Sequence, residues 1–404
     1  AKCGYKRALL VYGKGSVVRT GTLDRVKKSL AASGVETVEL AGVRPNPEVG
    51  LVREGIELSK ANGVDFLLAV GGGSVIDSCK AIAYGLAEPE HDVWELYAGQ
   101  RKAKACFPVA SVLTIAAAGS EMSNSCVITN TDTEEKRAYD DDLARPKFAI
   151  MDPELTMTLP DYQTEAGCAD IMMHTMERYF VNSGTMELTD ALAEGLLRTV
   201  MAQAVILRDD PKNYDARAEG MWAGSLSHNG LTGCGHSESD FASHRLEHEL
   251  GGMFDVAHGA GLAAVWGSWA RYVYKNCLPR FVRFAHNVMG VEAGLSDEET
   301  ALRGIENMED FFRSIRMPTS LSELGVHPTE AQLCELARKC KIAVGGLLGS
   351  ARRLDESAML AMQSLPTESA RMAIALIALL PILLVYPAIQ GELIKGMVVG
   401  GVKG

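Results

Sequence analysis

A strand-like run, Phe66-Leu67-Leu68-Ala69-Val70, passes directly into Gly71-Gly72-Gly73-Ser74, and a helical pattern takes over from Val75 to Ala87. The same alternation recurs through the first 150 residues. Ala8 to Tyr12 reads as a buried strand, Gly13-Lys14-Gly15-Ser16 as a turn and Leu23 to Ala32 as a helix. Thr37 to Leu40 is then a strand, Glu48 to Asn62 a helix and Val109 to Thr114 a strand. Strands alternating with helices at this pace predict βαβ units and a parallel sheet. Such a sheet binds its ligands at the carboxyl ends of the strands. After Leu159-Pro160 the texture changes to long stretches rich in Ala, Leu, Met and Glu, with apolar residues three and four apart, as at Leu188, Leu192, Leu196 and Val200. The expected organisation is an α/β domain over residues 1–160 and an all-helical domain over 161–404.

A chain of 404 residues has the length for two cores, and 47% hydrophobic with 23% charged residues is globular usage. Its net charge of −11 argues against a nucleic-acid partner, which would need basic patches. Nine cysteines, an odd number with no CxxC pair, predict small buried thiols in a reducing, cytoplasmic compartment. The sequence opens Ala-Lys-Cys, and no signal peptide is visible. From Met372 to Ile389 run eighteen residues without a charge, the lower limit for a membrane span. Pro381 and Pro387 interrupt that run, which favours a buried or oligomer-contact helix over a membrane anchor.

The two glycine turns carry the first chemistry. At Gly71 to Ser74 the missing Cβ atoms let backbone N–H groups approach an anion at a helix N-terminus, with Ser74 and Asp77 in the first turn. An ordinary tight turn capped by Ser74 explains the same residues. No GK[ST] follows, so this is not an ATP-binding loop. Gly13 to Ser16 lacks the third glycine of the dinucleotide fingerprint, yet Lys14, Ser16 and Arg19 cluster there without an acid, which suits a ribose 2′-phosphate.

The second chemistry is imidazole. Five of the nine histidines, His228, His236, His244, His248 and His258, fall within thirty-one residues. Asp170 and His174 stand at i and i+4 on one helix, as do His244 and His248. Carboxylate and imidazole groups at helical spacing can ligate a divalent metal. The absence of HExxH disfavours a zincin protease.

GGGSVID (71–77), TIAAAGSE (114–121), DPELTMTLP (152–160), GCADIMMHTME (167–177) and ASHRLEHELGGMFDVAHG (242–259) occur in this order. Together with YGKGSVVRTG and the PNP turn they resemble the iron-containing, or group III, alcohol dehydrogenases. Within that family the likeness is greatest to the NADP-dependent butanol dehydrogenase and aldehyde reductase branch. It spans about residues 8 to 350. It implies a Rossmann-like domain followed by a helical metal-binding domain, the dehydroquinate synthase-like fold.

By motif the resemblance implies Asp170, His174, His244 and His258 as metal ligands, with His248 a non-ligand histidine beside nicotinamide and substrate. Gly72, Gly73, Ser74 and Asp77 would hold the pyrophosphate; Gly13 and Ser16 would face the adenosine ribose, with Asn46 nearby. Thr114, Ser123, Lys136 and Leu159 match further cofactor contacts. Ala118 stands where the family usually has Thr, Ser123 replaces a common Asn, and from about residue 356 the chain departs from the family's usual ending.

The expected activity is that of an NADP(H)-dependent alcohol dehydrogenase or aldehyde reductase. A divalent metal, Fe²⁺ or Zn²⁺, would polarise the substrate oxygen while hydride moves to or from nicotinamide. NADP(H) is expected over NAD(H), the partner is a small alcohol or aldehyde, the assembly a homodimer, and no membrane partner is foreseen. The alternatives are an NAD-dependent polyol dehydrogenase of glycerol type and a non-catalytic metal-binding protein. A dehydroquinate synthase-like reaction is disfavoured because few basic residues surround the metal motifs.

Overall fold

The computed structural model describes residues 4–182 and 184–364. Its first part runs β1 (Arg7–Gly13), α1 (Ser16–Arg19), α2 (Thr22–Ala32), β2 (Glu36–Val43), α3 (Val49–Asn62), β3 (Phe66–Gly71), α4 (Gly73–Ala87), α5 (Trp94–Tyr97), β4 (Val109–Leu113), β5 (Ser125–Asn130), β6 (Glu135–Asp140) and β7 (Ala149–Met151). Five strands form one sheet in the order β2-β1-β3-β4-β7, every neighbouring pair parallel. All six residues of β3 are buried, because helices cover both faces of a parallel sheet. Its Leu67 and Ala69 join the core beneath α3 and α4, and its Phe66, Leu68 and Val70 join the core on the opposite face.

The strands and helices expected from the alternation all form, each within three residues of its anticipated ends. The antiparallel hairpin β5–β6 and the short strand β7 were not foreseen. The hairpin strands are brief and flank Thr131-Asp132-Thr133-Glu134, a polar turn in which Glu134 adopts φ 52°.

From residue 161 to 364 the described chain is mostly helical. The elements are α6 (Asp161–Tyr179), α7 (Glu187–Asp209), α8 (Tyr214–His228), α9 (Ala242–Phe254), α10 (His258–Val273), α11 (Leu278–Asn287), α12 (Asp297–Ser314), α13 (Glu330–Val344) and α14 (Glu356–Ser364). Capping boxes start two of them, Ser296 with Glu299 and Thr329 with Gln332, each satisfying two otherwise orphaned N–H groups. In α7 the inward face is Ala193, Leu197, Val200 and Ala204, whereas Leu188 and Leu192 point to solvent. Polar partners set that rotation: Asp190 pairs with Arg280, and Glu194 accepts from the Tyr179 hydroxyl and from Arg283.

The described cysteines are free thiols. Among the described residues no helix is long and apolar enough to cross a membrane. The apolar run from Met372 to Ile389 lies outside the described residues.

Candidate active site

Two glycines set how closely α6, which carries Asp170 and His174, packs against its neighbours. A Cβ on Gly259 would stand 1.9 Å from the carbonyl oxygen of Ala166, so α10 rests directly on the backbone of α6. A Cβ on Gly167 would stand 2.3 Å from the carbonyl oxygen of Ala116. Each glycine neighbours an anticipated ligand: Gly259 follows His258, and Gly167 precedes Asp170 by one turn. Backbone approach this close excludes any other residue.

At the junction, Oδ1 of Asp170 is the common neighbour of three imidazoles. It lies 3.2 Å from Nδ1 of His174, 3.8 Å from Nε2 of His244 and 3.8 Å from Nε2 of His258. Asp170, His174 and His244 are buried, and their atoms Asp170 Oδ1, His174 Nδ1 and His244 Nε2 make no hydrogen bond. Buried polar atoms left without partners are costly. Converging as they do, one carboxylate oxygen and ring nitrogens are the donor set of a divalent cation, and the residues present fit one. Burial alone would raise the Asp170 carboxyl, but the imidazoles, His174 foremost, hold it well below the usual carboxylate range.

Carboxylates stand behind two of the rings. Nδ1 of His244 is 3.2 Å from Glu177 Oε2, and Nδ1 of His258 is hydrogen-bonded to Glu247 Oε2. Burial would lower His244, but Glu177 and then Asp170 reverse this and push it up to about 9. A carboxylate on the far nitrogen orients a ligand ring and leaves its near nitrogen for the metal. His248, one turn after His244, does not close on Asp170; its ring lies 5.8 Å from that of His258. Burial first, then Lys136, keeps His248 far below its ordinary value, hence neutral. Glu247, His248 and His258 form a second group with metal-compatible spacing, but there the Lys136 ammonium, 3.2 Å from Glu247, already supplies the positive charge.

The nucleotide-side residues divide in two. Gly72, Gly73 and Ser74 open α4 at the carboxyl end of β3, with no side-chain cap on its first N–H groups. Thr114 joins them by donating its N–H to Gly71 O at 3.1 Å. The absence of Cβ atoms here also serves packing: one on Gly72 would strike Ile115, 2.0 Å away. Gly13 and Ser16 flank the tip of β1, where the Arg19 guanidinium lies 3.5 Å from the Cβ position of Gly15. Leu159 is half-buried in the turn before α6.

Four residues expected to touch the cofactor also have protein partners. The Asp77 carboxylate accepts from Ser120 Oγ and from the Val127 N–H, tying α4 to β5. Ser123 is wholly buried, and its hydroxyl accepts from the Ser125 N–H at 2.8 Å. Lys136 donates to Glu247. Asn46, at φ 54°, donates to Asp255 Oδ1 at 2.8 Å. Glu177 and Glu247 escaped the sequence reading, although each lies three residues beyond an anticipated ligand, on the same helix face. His228 also belongs here: its ring lies 3.9 Å from that of His174, and its Nδ1 accepts from Arg178.

Residues 1–153 match the iron-containing alcohol dehydrogenase family, and residues 164–345 match the Fe-containing alcohol dehydrogenase family C-terminal region. The chain is 39% identical over 350 residues to NADH-dependent butanol dehydrogenase A of Clostridium acetobutylicum, covering 86% of this chain and 89% of that protein. It is 36% identical over 322 residues to the NADPH-dependent aldehyde reductase YqhD of Escherichia coli, covering 79% and 82%. The crystal structure of NADH-dependent butanol dehydrogenase A from Thermotoga maritima superposes with a TM-score of 0.86 at 36% identity, covering 90% and 91% of the two chains. With both family regions matched in order and the ligand geometry above, the chain belongs to the iron-containing alcohol dehydrogenase family of oxidoreductases.

Proposed function

We propose that the protein interconverts small primary alcohols and aldehydes using NADP(H), with one divalent metal held by Asp170, His174, His244 and His258. The observation that carries this reading is the orphaned Oδ1 of Asp170, ringed by imidazole nitrogens at 3.2 and 3.8 Å. When bound, the metal supplies Lewis-acid polarisation of the substrate oxygen. The chain's own residues do the rest. Glu177 and Glu247 orient two of the ligand rings. The open N-terminus of α4 offers N–H groups to a pyrophosphate. His248, buried and neutral, is the candidate for moving the alcohol proton.

Residues 1–160 serve as the dinucleotide domain and 161–404 as the metal domain in this reading; a cytoplasmic homodimer is the assembly. Lys14 and Arg19 around the β1 tip favour a 2′-phosphate. The relatives are divided on this point, since the butanol dehydrogenases are named for NADH and YqhD for NADPH. The test is loss of NADPH or NADH absorbance with C2 to C6 aldehydes, on protein loaded with Fe²⁺ or Zn²⁺ and on chelated protein. Metal-dependent turnover that is faster with NADPH is expected; no turnover with either cofactor overturns the reading, and faster turnover with NADH overturns the cofactor assignment.

A further inference from the structure

The Lys136 ammonium is almost entirely buried and reaches across from the β5–β6 hairpin to α9, where it donates to Glu247 Oε2 at 3.2 Å. The same oxygen receives the hydrogen bond of His258 Nδ1, and the opposite nitrogen of that ring, Nε2, faces Asp170 Oδ1. Three groups from three elements thus form an unbroken line: β6 ammonium, α9 carboxylate, α10 imidazole.

The line is rigidly mounted. A Cβ on Gly251 would lie 2.9 Å from Glu247 Oε1 and 3.1 Å from Lys136 Nζ, and one on Gly261 would lie 2.9 Å from Glu247 Cγ. The two glycines on α9 and α10 therefore leave just the space that the lysine and glutamate side chains fill. Two further contacts seat the hairpin. Arg137 pairs with buried Glu249 of α9 at 2.8 Å, and Lys339 of α13 donates to the carbonyls of Thr133 and Glu134 at 3.2 and 3.3 Å.

We propose that Lys136 and Glu247 are positioning residues for His258, so that the hairpin of the strand-bearing half sets the orientation of a metal-binding imidazole in the helical half. This rests on the reading of His258 as a metal ligand. Glu247 accepts the Nδ1 proton, which fixes the tautomer and leaves the Nε2 lone pair for the cation. Lys136 holds the carboxylate at that nitrogen.

The sign of the Lys136 effect separates positioning from simple electrostatics. Removing a cation near a dication site should by charge alone tighten metal binding. Loss of positioning weakens it. The experiment titrates chelator-stripped protein with Co²⁺, following the visible absorption bands, and measures NADPH binding to the metal-free protein by fluorescence. Glu247→Ala should weaken Co²⁺ binding by ~10- to 100-fold, the range for such outer partners, and alter the bands. Glu247→Gln, whose amide oxygen still accepts the Nδ1 proton, should recover part of that loss. Lys136→Met should weaken Co²⁺ binding and Lys136→Arg should restore it.

Unchanged or tighter Co²⁺ binding in Lys136→Met overturns the proposal, as does a loss confined to NADPH, which would make Lys136 a cofactor contact. His258→Ala distinguishes the levels. If it binds Co²⁺ as the parent does, the ligand assignment has failed. If it loses Co²⁺ while the Glu247 and Lys136 variants bind normally, only the positioning relay has failed.

Discussion

Glu177 holds His244 at two points: its Oε1 accepts the His244 backbone N–H at 3.1 Å, and its Oε2 lies 3.2 Å from the ring Nδ1. This anchors the first turn of α9 to α6 and aims Nε2 of His244 at Asp170. Among the described residues no carboxylate pairs with the His248 ring in this way. The two histidines, spaced i and i+4 on one helix, are thereby given different surroundings.

His244→Ala should therefore lose metal, and His248→Ala should retain it while kcat falls by ~10²–10⁴-fold, the usual cost of a missing proton-transfer group. Metal per chain by elemental analysis, read beside steady-state kinetics, checks this. Metal loss in His248→Ala with retention in His244→Ala would reverse the assignment.

Gly259→Ala tests how the ligand helices are spaced. Its new Cβ would meet the Ala166 carbonyl oxygen at 1.9 Å, so α10 must move away from α6. Overpacking of this kind costs about 1–3 kcal/mol or more. A lower Tm together with weaker metal retention is expected. Gly290→Ala is the control, since its Cβ would meet nothing but its φ of 67° is unfavourable. A metal affinity equal to the parent's in Gly259→Ala would show that the close approach does not set the site.

Cofactor choice is tested at the tip of β1. A Cβ on Gly13 would stand 3.4 Å from Val43 O, ordinary contact, so an aspartate can be built there. Its charge would repel a 2′-phosphate by roughly 1 kcal/mol or more at contact. Gly13→Asp should lower the NADP to NAD ratio of kcat/KM by about fivefold or more. A ratio that does not move would place the adenosine ribose elsewhere.

Glu249 links stability to pH. Burial is the dominant cause, exceeding the opposing effect of Arg137, and pushes its carboxyl from 4.5 up to about 7. An acid whose folded-state value is raised binds its proton more tightly when folded, so its contribution is full below 4.5 and is lost as pH rises towards about 7. Glu249→Gln should flatten the fall in stability across that window, measured by urea unfolding from pH 4 to 8. Parallel curves for the two proteins would place the titration on another group.

Local patterns were enough for the parallel sheet and for the helical half. Phe66 to Val70, continuous and apolar, had to be a strand buried on both faces, and Asp170 with His174 had to share a helix face, because i, i+4 geometry belongs to the helix itself. The same rule could not choose between His244 and His248, which it treats alike. That difference depends on how α9 is rotated against α6, and Glu177, 67 residues earlier in the chain but in direct contact, turns His244 toward Asp170. Ser123, Asp77 and Lys136 show the converse. Their residue types suit a cofactor pocket, and each also meets a protein partner: Ser123 the neighbouring Ser125 N–H, Asp77 the Val127 N–H of β5, and Lys136 the Glu247 carboxylate of α9. Hydrogen bonds between residues far apart in sequence exist only once the helices and hairpin have docked; the sequence sets which groups are available, and the packing selects which of them converge on Asp170.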